Sequence, residues 1–258
     1  VRRIGDRDMG HANAGGTLGA SAPNCGDGWF LETSAAHVKI ADGTKVTTIA
    51  TSGTTGRWLI DPVDFEVVSG SGEFTASSVG SNTLSANLLN TSVTIKTGLG
   101  NGQGDIKVNA PVVWQGGYQL TLEADRNIYF NALLQGENLA LLYGQASKNG
   151  GTADFYFNNG AKIEIPVNSE FGNFFTTQKG FDPANLKRYT VISSLGNQSS
   201  NPIPGTLQGI TRLSNTDNYA LGTDVTATET SGWNAGAGFT PLGQLNGTFE
   251  GLGHKISD

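Results

Sequence analysis

Cysteine, methionine and histidine are scarce in this chain: one Cys, one Met and three His among 258 residues. The lone Cys25 has no partner for an internal disulfide, and no His or Cys set stands at metal-ligand spacing. It reads as a small side chain in a turn. Charge is thin as well, 15% of residues against about 25% in a typical soluble domain. The net charge is −6. The basic doublets Arg2-Arg3 and Lys187-Arg188 do not amount to a patch, so electrostatic binding to nucleic acid or to an anionic membrane has little support. No apolar run reaches the ~18 residues that a membrane-spanning helix needs. There is no initiator Met and no signal peptide, and a start at Val1 suggests a trimmed N-terminus. Helical periodicity is nearly missing. Only 83–89 (TLSANLL) and 182–188 (DPANLKR) suggest one or two turns, the second with Asp182 as cap and Pro183 at the first helical position.

Glycine, 37 residues of it, fills the space together with Asn, Thr and Ser. Short β-rich bursts lie between these turn formers: 37–40, 45–50, 57–60, 64–68, 92–96, 105–109, 119–123, 127–131, 138–142, 153–157, 161–165, 189–193 and 219–221. A weak repeat runs through them. Ile106-Lys107-Val108-Asn109-Ala110 is echoed by Ile128-Tyr129-Phe130-Asn131-Ala132, and Gln119-Leu120-Thr121-Leu122 by Asn138-Leu139-Ala140-Leu141. Several short strands in a period near 20 are the mark of a solenoid. The leucine-rich repeat competes at this length, but its leucine/asparagine consensus is missing, and a parallel β-helix fits better. Ile106 is then expected over Ile128, Leu120 over Leu139, and Asn109 beside Asn131 in an asparagine ladder. A single rung buries too little to offset its own ordering entropy, so neighbours must supply the rest.

The expectation is an all-β chain with single-stranded rungs of about 20 residues. Rungs would occupy 1–192, a loop or linker 193–218, and a glycine-punctuated β repeat 219–258. The polar loop 143–153 and the proline-bearing stretch 193–208 break the pattern. The last segment stops at Asp258 about where a new strand should run, which is expected of a piece of something longer.

Residues 17–34 (TLGASAPNCGDGWFLETS), continuing as AAHVKIADGTKVTT and SGTTGRWLIDPVDFEV, resemble the secreted exoproteins of bacterial two-partner secretion. These are the filamentous-haemagglutinin-like and high-molecular-weight-type adhesins. The run Gly56–Phe65, centred on Trp58-Leu59-Ile60-Asp61-Pro62, is the most specific piece. Residues 92–132 resemble the rungs of that family, with VNAPV (108–112) and FNALL (130–134) in corresponding places. The segment from Tyr219 resembles a glycine-rich repeat named for its Gly-Leu-Gly motif, here Gly251-Leu252-Gly253. Cys25 and Trp29 stand where that family usually has glycine, and Gly19 where it has aspartate; a Trp is awkward at a turn of positive φ. The resemblance implies a right-handed parallel β-helix, export through an outer-membrane transporter partner, a secreted or cell-surface location, and attachment to a host-cell or bacterial surface receptor or glycan. It implies no catalytic residues, no cofactor and no metal.

Candidate chemistry is sparse. Asp61, Asp64 and Glu66 form a local acidic cluster of the kind that β-helical polysaccharide lyases and hydrolases use with a basic partner. The period-2 alternation places Asp64 and Glu66 on a solvated strand face instead. His11, His37 and His254 are too scattered for a metal set. The glycine-rich stretches 97–104 and 236–243 do not link a strand to a helix as a phosphate loop does, and no serine sits in a Gly-x-Ser-x-Gly setting. Aromatic residues are the better lead. Among Trp58, Trp114, Tyr118, Tyr129, Phe155, Tyr156, Phe157 and Trp233, alternation turns Tyr129 and Tyr156 outward, where flat rings would contact a glycan. Taken together, the residues read as a non-enzymatic structural and binding segment of a surface adhesin. The alternatives are a β-helical polysaccharide lyase or hydrolase, and the rod of a contact-dependent toxin or haem-acquisition exoprotein.

Overall fold

The computed structural model describes residues 10–70, 77–98, 100–166, 174–198, 205–210, 217–241 and 243–258. Among these, strands stack into two long sheets. One runs, in spatial order, His11–Ala14, His37–Ile40, Ser78–Gly80, Phe65–Val68, Ile106–Val108, Ile128–Phe130, Phe155–Phe157, with every pairing parallel. The other runs Leu31–Ser34, Arg57–Asp61, Ser92–Lys96, Gln119–Glu123, Asn138–Tyr143, Phe174–Lys179, Leu186–Ile192, Asn218–Leu221, Phe249–Glu250. A short third sheet holds Val112–Val113, Leu134–Gln135 and Ile163–Glu164. The arrangement is mostly β, with parallel strands in stacked sheets, and is consistent with a parallel β-solenoid.

The most regular stretch lies between Ile106 and Tyr143. The chain visits the first, third and second sheets in turn and then repeats the circuit. Ile106 pairs with Ile128, Val112 with Leu134 and Leu120 with Leu139, offsets of 22, 22 and 19. The expected side-chain stacks are present, and burial alternates as the pleat demands. Val93, Ile95, Leu120, Leu122, Leu139 and Leu141 are all buried, while Thr94 and Thr121 between them are half-exposed; in the third of these strands the intervening residue is the small Ala140, which is buried as well. The spacing near 20 holds only where nothing is inserted. Ile128 to Phe155 spans 27 residues, Trp58 to Val93 35 and Phe65 to Ile106 41.

Loop 143–153 accounts for the first of these spacings, and two insertions account for the two longest. Ser78–Gly80 slots between His37–Ile40 and Phe65–Val68, and the chain then forms the helix Ser81–Asn87. Leu84 in the helix and Leu88 at its C-cap, four apart and therefore on one face, are fully buried. The helix fills the place a strand would take between the two-stranded sheet of Thr17–Gly19 with Lys45–Thr47 and the third sheet. The Asn87 amide donates to Thr44 O (2.8 Å) and accepts from Val46 N (2.6 Å), as a neighbouring backbone would. On the other side Ser85 Oγ accepts from Val113 N (3.1 Å).

The helix expected at 182–188 is mostly strand. Asp182 does cap, accepting from Ala184 N at 3.0 Å, but the 3-10 turn stops at Asn185. Leu186–Ile192 then pairs antiparallel with Phe174–Lys179. The open edge of that strand offers a full ladder of partners, which outweighs a single turn's local preference. From here strand direction in the second sheet is reversed: Leu186–Ile192, Asn218–Leu221 and Phe249–Glu250 are parallel to one another. Tyr189, Val191 and Ala220 face the large core cluster. Ile192, Tyr219 and Leu221 face a second cluster with Leu207, Ile210, Val225 and Trp233. A sheet covered on both faces reads as a continuous apolar run rather than an alternating one, as Tyr219-Ala220-Leu221 does.

Candidate functional site

The outward surface of the first sheet between residues 105 and 158 is built from three rows. Parallel pairing in register stacks equivalent side chains about 4.8 Å apart, so the rows follow from the repeat. Lys107, Tyr129 and Tyr156 form the middle row. Both tyrosines turn outward as the alternation requires: Ile128 and Phe130 are buried on the opposite face, and Tyr156 is 39% exposed. The two rings stack at 5.3 Å between centres with planes 19° apart. One face of each is therefore covered by the other, leaving the ring edges and the second face of Tyr156 for a ligand. The Tyr129 hydroxyl accepts from Asn127 Nδ2 at 2.9 Å, which fixes its orientation.

Beside this row runs the asparagine ladder. Asn131 Nδ2 donates to Asn109 Oδ1 (2.7 Å), and Asn158 Nδ2 donates to Asn131 Oδ1 (2.8 Å). Asn158 is a third member that the two echoed sequences alone did not reveal, because loop 143–153 lengthens its spacing. At the start of the ladder Asn109 Nδ2 donates to Glu66 Oε2 (3.2 Å). On the other flank Asp105 takes a two-pronged contact from Arg126 and accepts from Asn127 N. The Glu66 carboxylate beside Lys107 raises the lysine's pKa, chiefly through their hydrogen bond, and so keeps the ammonium charged.

The acidic cluster does not converge. Asp61, which stands before Pro62 where a turn is expected, is instead the last residue of Arg57–Asp61 and is buried, because pairing with Ser34 carries the strand that far. Asp64 accepts from Gln103 N and Asp105 N, and Glu66 is held by Lys107 and Asn109. These carboxylates brace loops and rows rather than share a point where a substrate atom would react.

Of the other aromatic candidates, Trp58, Trp114 and Trp233 are buried. Trp58 Nε1 donates to Thr33 Oγ1 and Trp114 Nε1 to Tyr118 O. Phe157 stacks on Phe130 and Phe155 packs edge-on to Tyr143. The aromatic most open to solvent among those described is Trp29, 65% exposed, which the strand alternation did not single out because it precedes a strand. Its φ is not positive; in that loop the left-handed conformation falls on Gly26, so the departure from glycine at Trp29 carries no backbone strain.

The glycine-rich stretches are turns. In the Gly-Leu-Gly segment Leu252 is buried against the rungs, its carbonyl accepting from Ile163 N at 3.0 Å. The His254 ring sits between Asp224 Oδ1 (3.0 Å) and Ile163 O (2.9 Å). Asp224 also accepts from Lys162 Nζ and Lys255 N; these hydrogen bonds, that from Lys162 foremost, hold its carboxyl below the ordinary range. No helix among the described residues is long and apolar enough to cross a membrane. No protein family, no curated protein and no solved structure matches this chain.

Proposed function

We propose that the chain is a structural and binding segment of a large secreted bacterial surface adhesin, a right-handed parallel β-helix exported through an outer-membrane transporter partner. Its work is attachment to a receptor or glycan on a host or neighbouring cell. The observation that carries this reading is the outward face of residues 105–158, where charged, aromatic and amide side chains repeat in bonded rows. Rows of this kind suit an extended partner, since each rung offers the same chemistry one strand spacing further on. Export by two-partner secretion rests on the resemblance of residues 17–48, 52–67 and 92–132.

Within this face Tyr129 and Tyr156 are the glycan contacts. A sugar would lie along the ring edges and across the open face of Tyr156, with Asn131 and Asn158 hydrogen-bonding to its hydroxyls. The test is a glycan and cell-binding screen of the 258-residue chain against the Tyr129→Ala/Tyr156→Ala variant. Loss of a tyrosine-borne contact worth about 1.4 kcal/mol weakens binding about tenfold, with an unchanged β circular dichroism spectrum. Equal binding by both proteins ends the tyrosine assignment, and turnover of a polysaccharide ends the non-enzymatic reading.

A further inference from the structure

Two of the three histidines, 26 positions apart in sequence, meet on the same outer surface. His11 and His37 are register partners on adjacent parallel strands. Alternation buries Ala12 and Ala14 on one strand and Val38 and Ile40 on the other, so both imidazoles stand outward and exposed. Their ring centres lie 4.8 Å apart, with planes 32° from parallel. No hydrogen bond or ion pair among the described residues engages either ring, in contrast to His254. The backbone beneath is tied, His37 N donating to Gly10 O at 3.1 Å.

We propose that His11 and His37 form a two-imidazole site for a divalent transition-metal ion of the Cu²⁺, Ni²⁺ or Zn²⁺ class. A metal–nitrogen bond of about 2.0–2.1 Å, plus about 1.1 Å from nitrogen to ring centre, puts each centre ~3.2 Å from the ion. For ligand angles between about 90° and 109°, the two centres then lie about 4.5–5.2 Å apart. The observed separation falls inside that interval, so the backbone need not move. Turning the rings about χ2, a soft torsion for an exposed imidazole, aims one nitrogen of each at a common point. The sheet holds the pair at fixed spacing, so little ordering is left to oppose binding.

The surroundings select the class of metal. The next outward pair along these strands is Asn13 and Lys39, and neither strand carries a carboxylate. Hard cations that require several oxygen ligands, such as Ca²⁺ and Mg²⁺, are not served, whereas imidazole suits Cu²⁺, Ni²⁺ and Zn²⁺. Remaining positions on the ion go to water.

The experiment is calorimetric titration of the 258-residue chain with Ni²⁺, Cu²⁺ and Zn²⁺ in turn, in wild type, His11→Ala, His37→Ala, His254→Ala and Cys25→Ser. The expected result is one ion per chain, with affinity falling about tenfold or more in either His11→Ala or His37→Ala. His254→Ala and Cys25→Ser bind as wild type, and excess Mg²⁺ does not compete. The conservative variants His11→Asn and His37→Asn, checked by circular dichroism, separate lost ligation from lost folding. The site is overturned if the His11→Ala/His37→Ala double variant binds as wild type, or if binding disappears only with Cys25 or His254. The rings are then a stacking pair like Tyr129 and Tyr156.

Discussion

The rungs at 106–143 and the segment from Leu186 to Ser257 solve the same problem in opposite ways. In the rungs each strand lies on an equivalent strand about 20 residues away, with one dry face and one wet face. From Leu186 strand direction is reversed against the rungs, and Leu186–Ile192 and Asn218–Leu221 carry a core on each face. Repetition lets the rungs keep a patterned, solvent-facing outer surface. The later segment uses its outer surface for a second core, and it meets the rungs through Tyr189, Val191 and Ala220 in the shared core and through turns at Leu252 and His254. The first region therefore leaves its patterned outer surface open, whereas the second covers its own.

The largest effect expected from breaking this comparison comes from Phe130→Ala. Phe130 is fully buried in the rung core and stacks on Phe157. Truncating a buried phenylalanine costs about 3–5 kcal/mol through lost burial and the cavity left behind. Because each rung is stable only against its neighbours, hydrogen exchange should rise across 106–157 as one unit. Loss of protection restricted to Ile128–Phe130 would show that the rungs are not coupled.

A smaller, local effect is expected from Gly253→Ala. Gly253 has φ of 83°, and a Cβ there would lie 2.4 Å from Ala161 O. The obstacle is backbone, so the turn itself must move, at a cost of roughly 1–3 kcal/mol from strain and overpacking. The Gly-Leu-Gly turn should lift from the rung at 161–165 while 106–141 stays protected. Limited proteolysis would then cut near 251–256 in the variant and not in wild type. Equal loss of protection in both regions would mean that they form one cooperative unit.

How much of this fold was legible in the sequence depended on periodicity. The pairs Ile106/Ile128 and Leu120/Leu139, and the Asn109–Asn131 bond, come from echoed residues at constant offset, because parallel register turns a sequence offset directly into a contact. Asn158 escaped because an inserted loop changes the offset without changing the register. The strand at Leu186–Ile192 escaped for another reason. Asp182-Pro183 is a true cap, but the conformation beyond Asn185 is decided by an unpaired sheet edge, which leaves no local mark. His11 and His37 share no motif and are separated by strands Thr17–Gly19 and Leu31–Ser34 and several turns, so only the folded sheet joins them. The surface rows of the candidate glycan face were half visible, since alternation turns Tyr129 and Tyr156 outward without revealing that they stack on each other.

The smallest effect concerns pH and discriminates the two regions without any change to the core. The Asp224 carboxyl is held below its ordinary value of 3.8 by Lys162, His254 and the Lys255 amide. The unfolded chain therefore takes up this proton before the folded one does. The stabilisation is present above the ordinary carboxylate range and is lost as pH falls below about 4 toward the depressed value. Glu250, whose pKa is raised by burial, works with the opposite sign, favouring the fold at low pH and losing that contribution as pH rises through its own range. Asp224 is partly exposed and its pairs are screened by solvent, so the change is modest. Exchange protection at 252–257 should fall on acidification while that at 106–141 holds, and Asp224→Asn should remove the acid step after lowering the starting protection. A joint decline of both regions, or an acid step that survives Asp224→Asn, would place the titrating contact elsewhere, and the second region would then be held to the rungs by packing and backbone hydrogen bonds rather than by an electrostatic clasp.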